Sequence, residues 1–73
     1  MKEGRLSYNQ IEGRYGLLVG KMWYHPGLHC GECLEVDVDG IWTACRMEMD
    51  SGIWYLVGVP YRGDGLEYVK ARL

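Results

Sequence analysis

The stretch Cys33-Leu34-Glu35-Val36-Asp37-Val38-Asp39-Gly40-Ile41-Trp42-Thr43-Ala44-Cys45-Arg46-Met47-Glu48-Met49-Asp50-Ser51-Gly52-Ile53-Trp54-Tyr55-Leu56-Val57-Gly58 decides the fold. Leu34 to Val38 alternates apolar and acidic side chains, the period of a strand with one buried face. Asp39-Gly40 is a two-residue hairpin turn, with glycine supplying the positive φ that such turns need. Ile41 to Met49 runs back, Asp50-Ser51-Gly52 turns the chain again, and Ile53 to Val57 makes a third strand.

Both hairpins can be registered. The turn at 39–40 pairs Val38 with Ile41, Val36 with Thr43 and Leu34 with Cys45. Read as a three-residue turn, 50–52 pairs Met49 with Ile53, Met47 with Tyr55 and Cys45 with Val57. Side chains alternate across a strand, so both registers place Leu34, Val36, Val38, Ile41, Thr43, Cys45, Met47, Met49, Ile53, Tyr55 and Val57 on one face, the expected core. The reverse face carries Glu35, Asp37, Trp42, Ala44, Arg46, Glu48, Trp54 and Leu56. Tryptophans among charges there imply either a cover from elsewhere in the chain or a binding surface.

Outward from this stretch, Gly4 to Tyr8 and Arg14 to Val19 are strand candidates separated by a turn at Asn9 to Gly13. The segment 20–31 is irregular apart from Met22-Trp23-Tyr24, which can pair briefly. Pro60 to Gly65 is a loop, and Leu66 to Leu73 is expected to be a closing strand. Eleven glycines spaced between short β-branched or aromatic runs oppose helix. The expected fold is all-β: one domain over residues 1–73, a small antiparallel barrel or strongly bent sheet of about five strands, SH3-like or OB-like.

The chain has 73 residues, 48% of them hydrophobic and 25% charged, which is globular and small. A formal net charge of −2 opposes general nucleic-acid binding, which depends on neutralising phosphates. No apolar leader follows Met1-Lys2-Glu3-Gly4, and no run is long enough to span a membrane, so a cytoplasmic location is expected. Three cysteines in that compartment should be free thiols.

His29-Cys30-Gly31-Glu32-Cys33 contains a C-x-x-C spacing. A zinc site drawn from His29, Cys30, Cys33 and Cys45 is the minor reading, because a second ligand pair is missing and the register points Cys45 inward and Cys33 outward. A redox role requires a helix start beside a βαβ unit, and this chain has neither. A His29–Cys30 nucleophile pair is disfavoured because neighbours in an extended segment point apart. No cofactor and no catalysis are expected. Arg62-Gly63-Asp64 reads as a turn.

The aromatics are three tryptophans and six tyrosines with no phenylalanine, so each has a polar tip, a bias of interfaces and of sites that stack planar ligands. Trp23, Tyr24, Trp42, Arg46, Trp54 and Arg62 are the expected binding residues. The candidate partners are a host protein or a small nucleotide-like ligand, and homo-oligomerisation is compatible with the sequence. The competing reading is that a small β core uses tryptophan and tyrosine for volume.

At His29-Cys30-Gly31-Glu32-Cys33-Leu34-Glu35-Val36, Asp39-Gly40-Ile41-Trp42, Arg46-Met47-Glu48 and Trp54-Tyr55-Leu56-Val57-Gly58, with Gly4-Arg5-Leu6 and Arg14-Tyr15-Gly16-Leu17, the chain resembles the domain of unknown function 5348 family of Firmicutes phages and mobile elements. The resemblance supplies no catalytic residues. It implies a non-enzymatic accessory protein of a mobile element that occupies a host factor, an anti-defence inhibitor being the sharpest version. The alternative is a small structural domain, zinc-stabilised in one version, assisting an element-encoded enzyme or DNA-processing complex.

Overall fold

In the computed structural model, which describes residues 1–73, seven strands form one antiparallel sheet. They are β1 (Glu3–Asn9), β2 (Arg14–Val19), β3 (Met22–His25), β4 (Cys33–Val38), β5 (Ile41–Asp50), β6 (Ile53–Val57) and β7 (Lys70–Arg72), with a 3-10 turn at Gly63–Leu66. The all-β class is as expected, and no helix is long and apolar enough to cross a membrane. The strand order is β3-β2-β1-β7-β4-β5-β6. Two three-stranded meanders, β1–β3 and β4–β6, are thus sewn together by the last strand. Ala71 sits at the seam, paired with Gly4 on one side and Val36 on the other.

The closing strand is shorter than the expected 66–73. Tyr68 adopts a left-handed φ of 66°. Its N–H donates to the Leu6 carbonyl at 2.7 Å, and the Leu6 N–H donates to the Val69 carbonyl at 2.9 Å. Leu6 thus opposes both Tyr68 and Val69, a bulge that continues the β1–β7 pairing past Lys70.

The sheet is open, because β3 and β6 end it and do not pair with each other. It nevertheless curls. The guanidinium of Arg14 on β2 stands 5.4 Å above the Trp54 ring on β6, although four strands lie between them in the sheet. A register irregularity between Leu17 and Leu18 contributes to the bend. Gly16 is required there, since a Cβ would overlap the backbone of His25 and Pro26. Inside the curl both meanders share one core, with Leu6, Leu17, Val36, Met47 and Leu66 fully covered.

The β4–β5 hairpin has the expected register, Leu34 with Cys45 through Val38 with Ile41. Asp39 and Gly40 both take positive φ, 52° and 87°, and the Gly40 N–H donates to Asp37 Oδ1 at 2.6 Å.

The β5–β6 hairpin corrects the expectation. Ser51 and Gly52 both take positive φ, 52° and 78°, so the turn has two residues and Asp50 pairs with Ile53. Met49 then opposes Trp54 and Met47 opposes Leu56. A slip of one residue turns a whole strand over. Trp54 and Leu56, expected outside, are buried, whereas Tyr55 and Val57, expected inside, are only half-buried. A two-residue turn of this type matches the right-handed twist of its strands, and it brings the larger indole inward. Ile41, Met49 and Ile53, also assigned to the core, lie at or near strand ends beyond it and are exposed.

Candidate functional site

The curl leaves one large concavity, a groove of about 610 Å³. Tyr8 and Tyr15 come from the first meander, Met49, Ile53 and Trp54 from the second, Asp64 from the 3-10 turn and Glu67 from the residue just after it. Its size falls in the ordinary range of ligand sites, about 300–1,000 Å³. Tyr8 and Tyr15 are directly cross-strand and meet edge to face, with ring centroids 5.2 Å apart. Trp54, stacked beneath Arg14, and Tyr15 are both buried, at 9% and 7% exposed, so the open aromatic surface is mainly Tyr8.

The two carboxylates differ. Glu67 is held by the Ser7 hydroxyl donating to Oε2 at 2.7 Å and the Tyr8 N–H donating to Oε1 at 2.8 Å. Asp64 is exposed, and neither acid joins any of the four ion pairs of the chain. Burial, followed by the negative charges of Glu67 and Asp64, raises the Tyr15 phenol above its ordinary value. No lysine or arginine lines the groove.

Of the residues expected to bind, only Trp54 reaches this groove. Trp42 is on the outer face and half-buried under the closing strand, with the Arg72 guanidinium 4.3 Å and the Lys70 ammonium 5.6 Å from its ring centroid. Arg72 donates to Glu35 through Nε, and Lys70 pairs with Glu3 at 3.7 Å. The chain thus provides its own cover for Trp42. Arg46 is exposed and pairs with Glu48 at 2.9 Å. Trp23 and Tyr24 stand on the outermost strand β3, 37% and 54% exposed, and Arg62 bridges to Tyr55 beside β6. The expected site is therefore dispersed over the groove, the outer face and the two ends of the sheet.

Tyr8, Tyr15, Asp64 and Glu67 were not singled out by the sequence. The one available signal is that the Asn9–Gly13 turn brings two tyrosines opposite each other. Arg62-Gly63-Asp64 does form a turn, and its aspartate is the groove's free carboxylate.

The His29-Cys30-Gly31-Glu32-Cys33 segment is organised by its glutamate. Glu32 Oε1 accepts the His29 N–H at 2.7 Å, and Oε2 meets His25 Nε2 at 2.9 Å. Burial opposes the charged form of Glu32, but the His29 N–H and the His25 contact outweigh it and hold the carboxyl below its ordinary value. Cys30 and Cys33 are exposed, while Cys45 is buried, its thiol facing the Leu34 carbonyl at 3.6 Å. Burial, then the nearby Cys33 and Glu35, pushes the Cys45 thiol up to about 11, which opposes the thiolate that a metal would need. No cluster of three or more such donors forms.

A crystal structure of a protein from Ruminococcus gnavus has the same fold, with a TM-score of 0.83 and 38% sequence identity, covering 99% of this chain and 100% of that one. A search of curated proteins gives no significant match. The sequence profile of the family described as Domain of unknown function (DUF5348) spans residues 4–73, from the β1 glycine to the last residue after β7. Its span takes in both meanders and the strand that joins them, and the chain belongs to that family.

Proposed function

We propose that this chain is a non-enzymatic binding module that occupies another protein through the groove between its two meanders. The observation that carries this reading is the lining: aromatic walls with two carboxylates and no basic side chain. Such a lining repels phosphate, so a protein partner is favoured over a nucleotide-like ligand. On the outer face the cations beside Trp42 are already engaged by Glu35 and Glu3, which also weighs against phosphate capture there. On this reading the partner is a cytoplasmic protein of a host carrying a mobile element, with inhibition of a defence factor as the most specific form of the proposal. The strongly bent sheet serves as an SH3-like barrel would, bringing loops from opposite ends of the chain to one cleft.

The test is affinity capture with the intact chain beside an Ile53→Glu variant, whose substitution lies at an exposed position of the groove. A stoichiometric protein retained by the first and lost by the second supports the reading. Equal capture by both, or co-purification of a nucleotide in its place, overturns it.

A second reading is a structural accessory domain that docks on an element-encoded enzyme. It draws on β3, the bare end of the sheet, where Met22, Trp23 and Tyr24 are all exposed. Loss of capture in a Trp23→Ser, Tyr24→Ser variant, with Ile53→Glu silent, would favour it.

A further inference from the structure

We propose that the groove bounded by Tyr8, Tyr15 and Asp64 takes the guanidinium of an arginine side chain presented by the partner protein. This rests on the reading of the groove as a protein-binding site and names the group it receives.

The chain itself contains the pattern. On the outer face the Arg72 guanidinium lies 4.3 Å from the Trp42 centroid and bonds the Glu35 carboxylate. Guanidinium, aromatic ring and carboxylate there form one closed set. In the groove two members of that set recur without the third: the exposed Tyr8, braced edge to face by the buried Tyr15, supplies the ring, and Asp64 supplies a carboxylate that pairs with no cation. Glu67 adds a second negative charge, fixed in place by Ser7 and the Tyr8 backbone. Arg14 is the nearby cation, but it is stacked on Trp54 and pairs with neither acid. The lining side chains comprise two acids and no base, so the lining is negative.

Charge complementarity therefore calls for a cation, and the walls select its type. A guanidinium is planar and weakly hydrated, stacks on rings and engages a carboxylate with two parallel N–H donors. An ammonium is a compact, strongly hydrated charge and gains less from an aromatic wall that is open to water. At about 610 Å³ the groove exceeds the needs of one side chain, which leaves room for the backbone that carries it.

The experiment titrates the uniformly 15N-labelled chain with Gly-Gly-Arg-Gly-Gly and follows backbone amides by NMR. Lysine and citrulline peptides of the same length serve as comparisons. The arginine peptide should shift amides of Tyr8, Ile53, Gly63 and Asp64. Lysine should bind more weakly, and citrulline, which keeps the shape without the charge, should not bind. Asp64→Asn should weaken arginine binding about tenfold, the loss of one charge-assisted contact at a partly wet site. Tyr8→Leu, a neutral change of the wall, should weaken it as well, and thermal unfolding of both variants checks that they fold.

Absence of groove shifts, citrulline or lysine binding as tightly as arginine, or an unchanged affinity in Asp64→Asn would each overturn the proposal. So would shifts at these residues that grow with protein concentration alone, since a second copy would then be the occupant. The two readings fail separately. Capture that depends on Ile53 with no arginine preference keeps the protein partner and removes the guanidinium. Arginine binding without a captured protein does the reverse.

Discussion

The phenol of Tyr15 donates to the carbonyl of Gly63 at 3.2 Å, joining residues 48 apart in sequence. This bond fastens β2 of the first meander to the 3-10 turn that follows the second, and so helps to hold the groove's two walls together. Tyr15→Phe keeps the ring and removes the donor. The expected cost is about 1 kcal/mol, read as a lower denaturant midpoint at an unchanged slope. An unaltered midpoint would mean that the curl does not depend on this contact.

Trp54 opposes Met49 on the inner face and is the most covered aromatic of the second meander. Trp54→Ala is expected to destabilise the chain by about 3 kcal/mol or more, as truncation of a core aromatic does. Trp23→Ala, on the exposed outer strand, should cost well under about 1 kcal/mol. Iodide should quench the emission of Trp23 and leave that of Trp54 largely protected. The reverse order of costs would return β6 to the register in which Trp54 faces outward.

Arg72 touches Trp42 and Glu35 together, so its substitutions should not add independently. A double-mutant cycle with Arg72→Ala and Trp42→Ala is expected to give a coupling of about 0.5–1 kcal/mol. Strict additivity would make the outer-face stack energetically idle.

Ellman's reagent at about pH 8 should label Cys30 and Cys33 rapidly and Cys45 only after unfolding, because thiol reactivity follows exposure and thiolate content. Stability should also fall at alkaline pH. The folded Cys45 holds its proton up to about 11, against an ordinary value of 9.0. Its contribution is thus complete below about 9 and is lost as pH rises through about 11. The raised Tyr15 phenol acts in the same direction. Cys45→Ala should flatten this limb, seen in midpoints recorded against pH.

Acid should weaken the chain through Glu32. Its carboxyl titrates below the ordinary 4.5 in the folded state, so the stabilisation is present above that value and disappears as pH falls through the folded one. Glu32→Gln is expected to cost about 1 kcal/mol at neutral pH and to reduce the slope of the acid limb. An identical acid limb in the variant would move the acid sensitivity to another group.

Local rules made much of this fold legible. Alternation and the Asp39-Gly40 turn specify the β4–β5 register, and the burial of Leu34, Val36, Cys45 and Met47 follows from it. The following turn was not legible in the same way. Ser51 takes a left-handed φ of 52°, a conformation that a chain rule assigns to glycine before serine. Only the burial of Trp54 and Leu56 on the far strand shows which turn length is the stable one. The C-x-x-C spacing drew attention to cysteines, whereas the contacts that order that segment belong to Glu32.

Backbone periodicity and turn chemistry, which act over a few residues, determined that the chain is β throughout and which side of its central hairpin is greasy. Tertiary structure alone decided that β7 would lie between β1 and β4 and that Tyr8, Tyr15, Asp64 and Glu67 would share a cleft. Those residues carry no common local pattern. They meet because burying one core shared by two meanders curls the sheet, and the gain from that burial is a property of the whole surface removed from water, not of any segment read by itself.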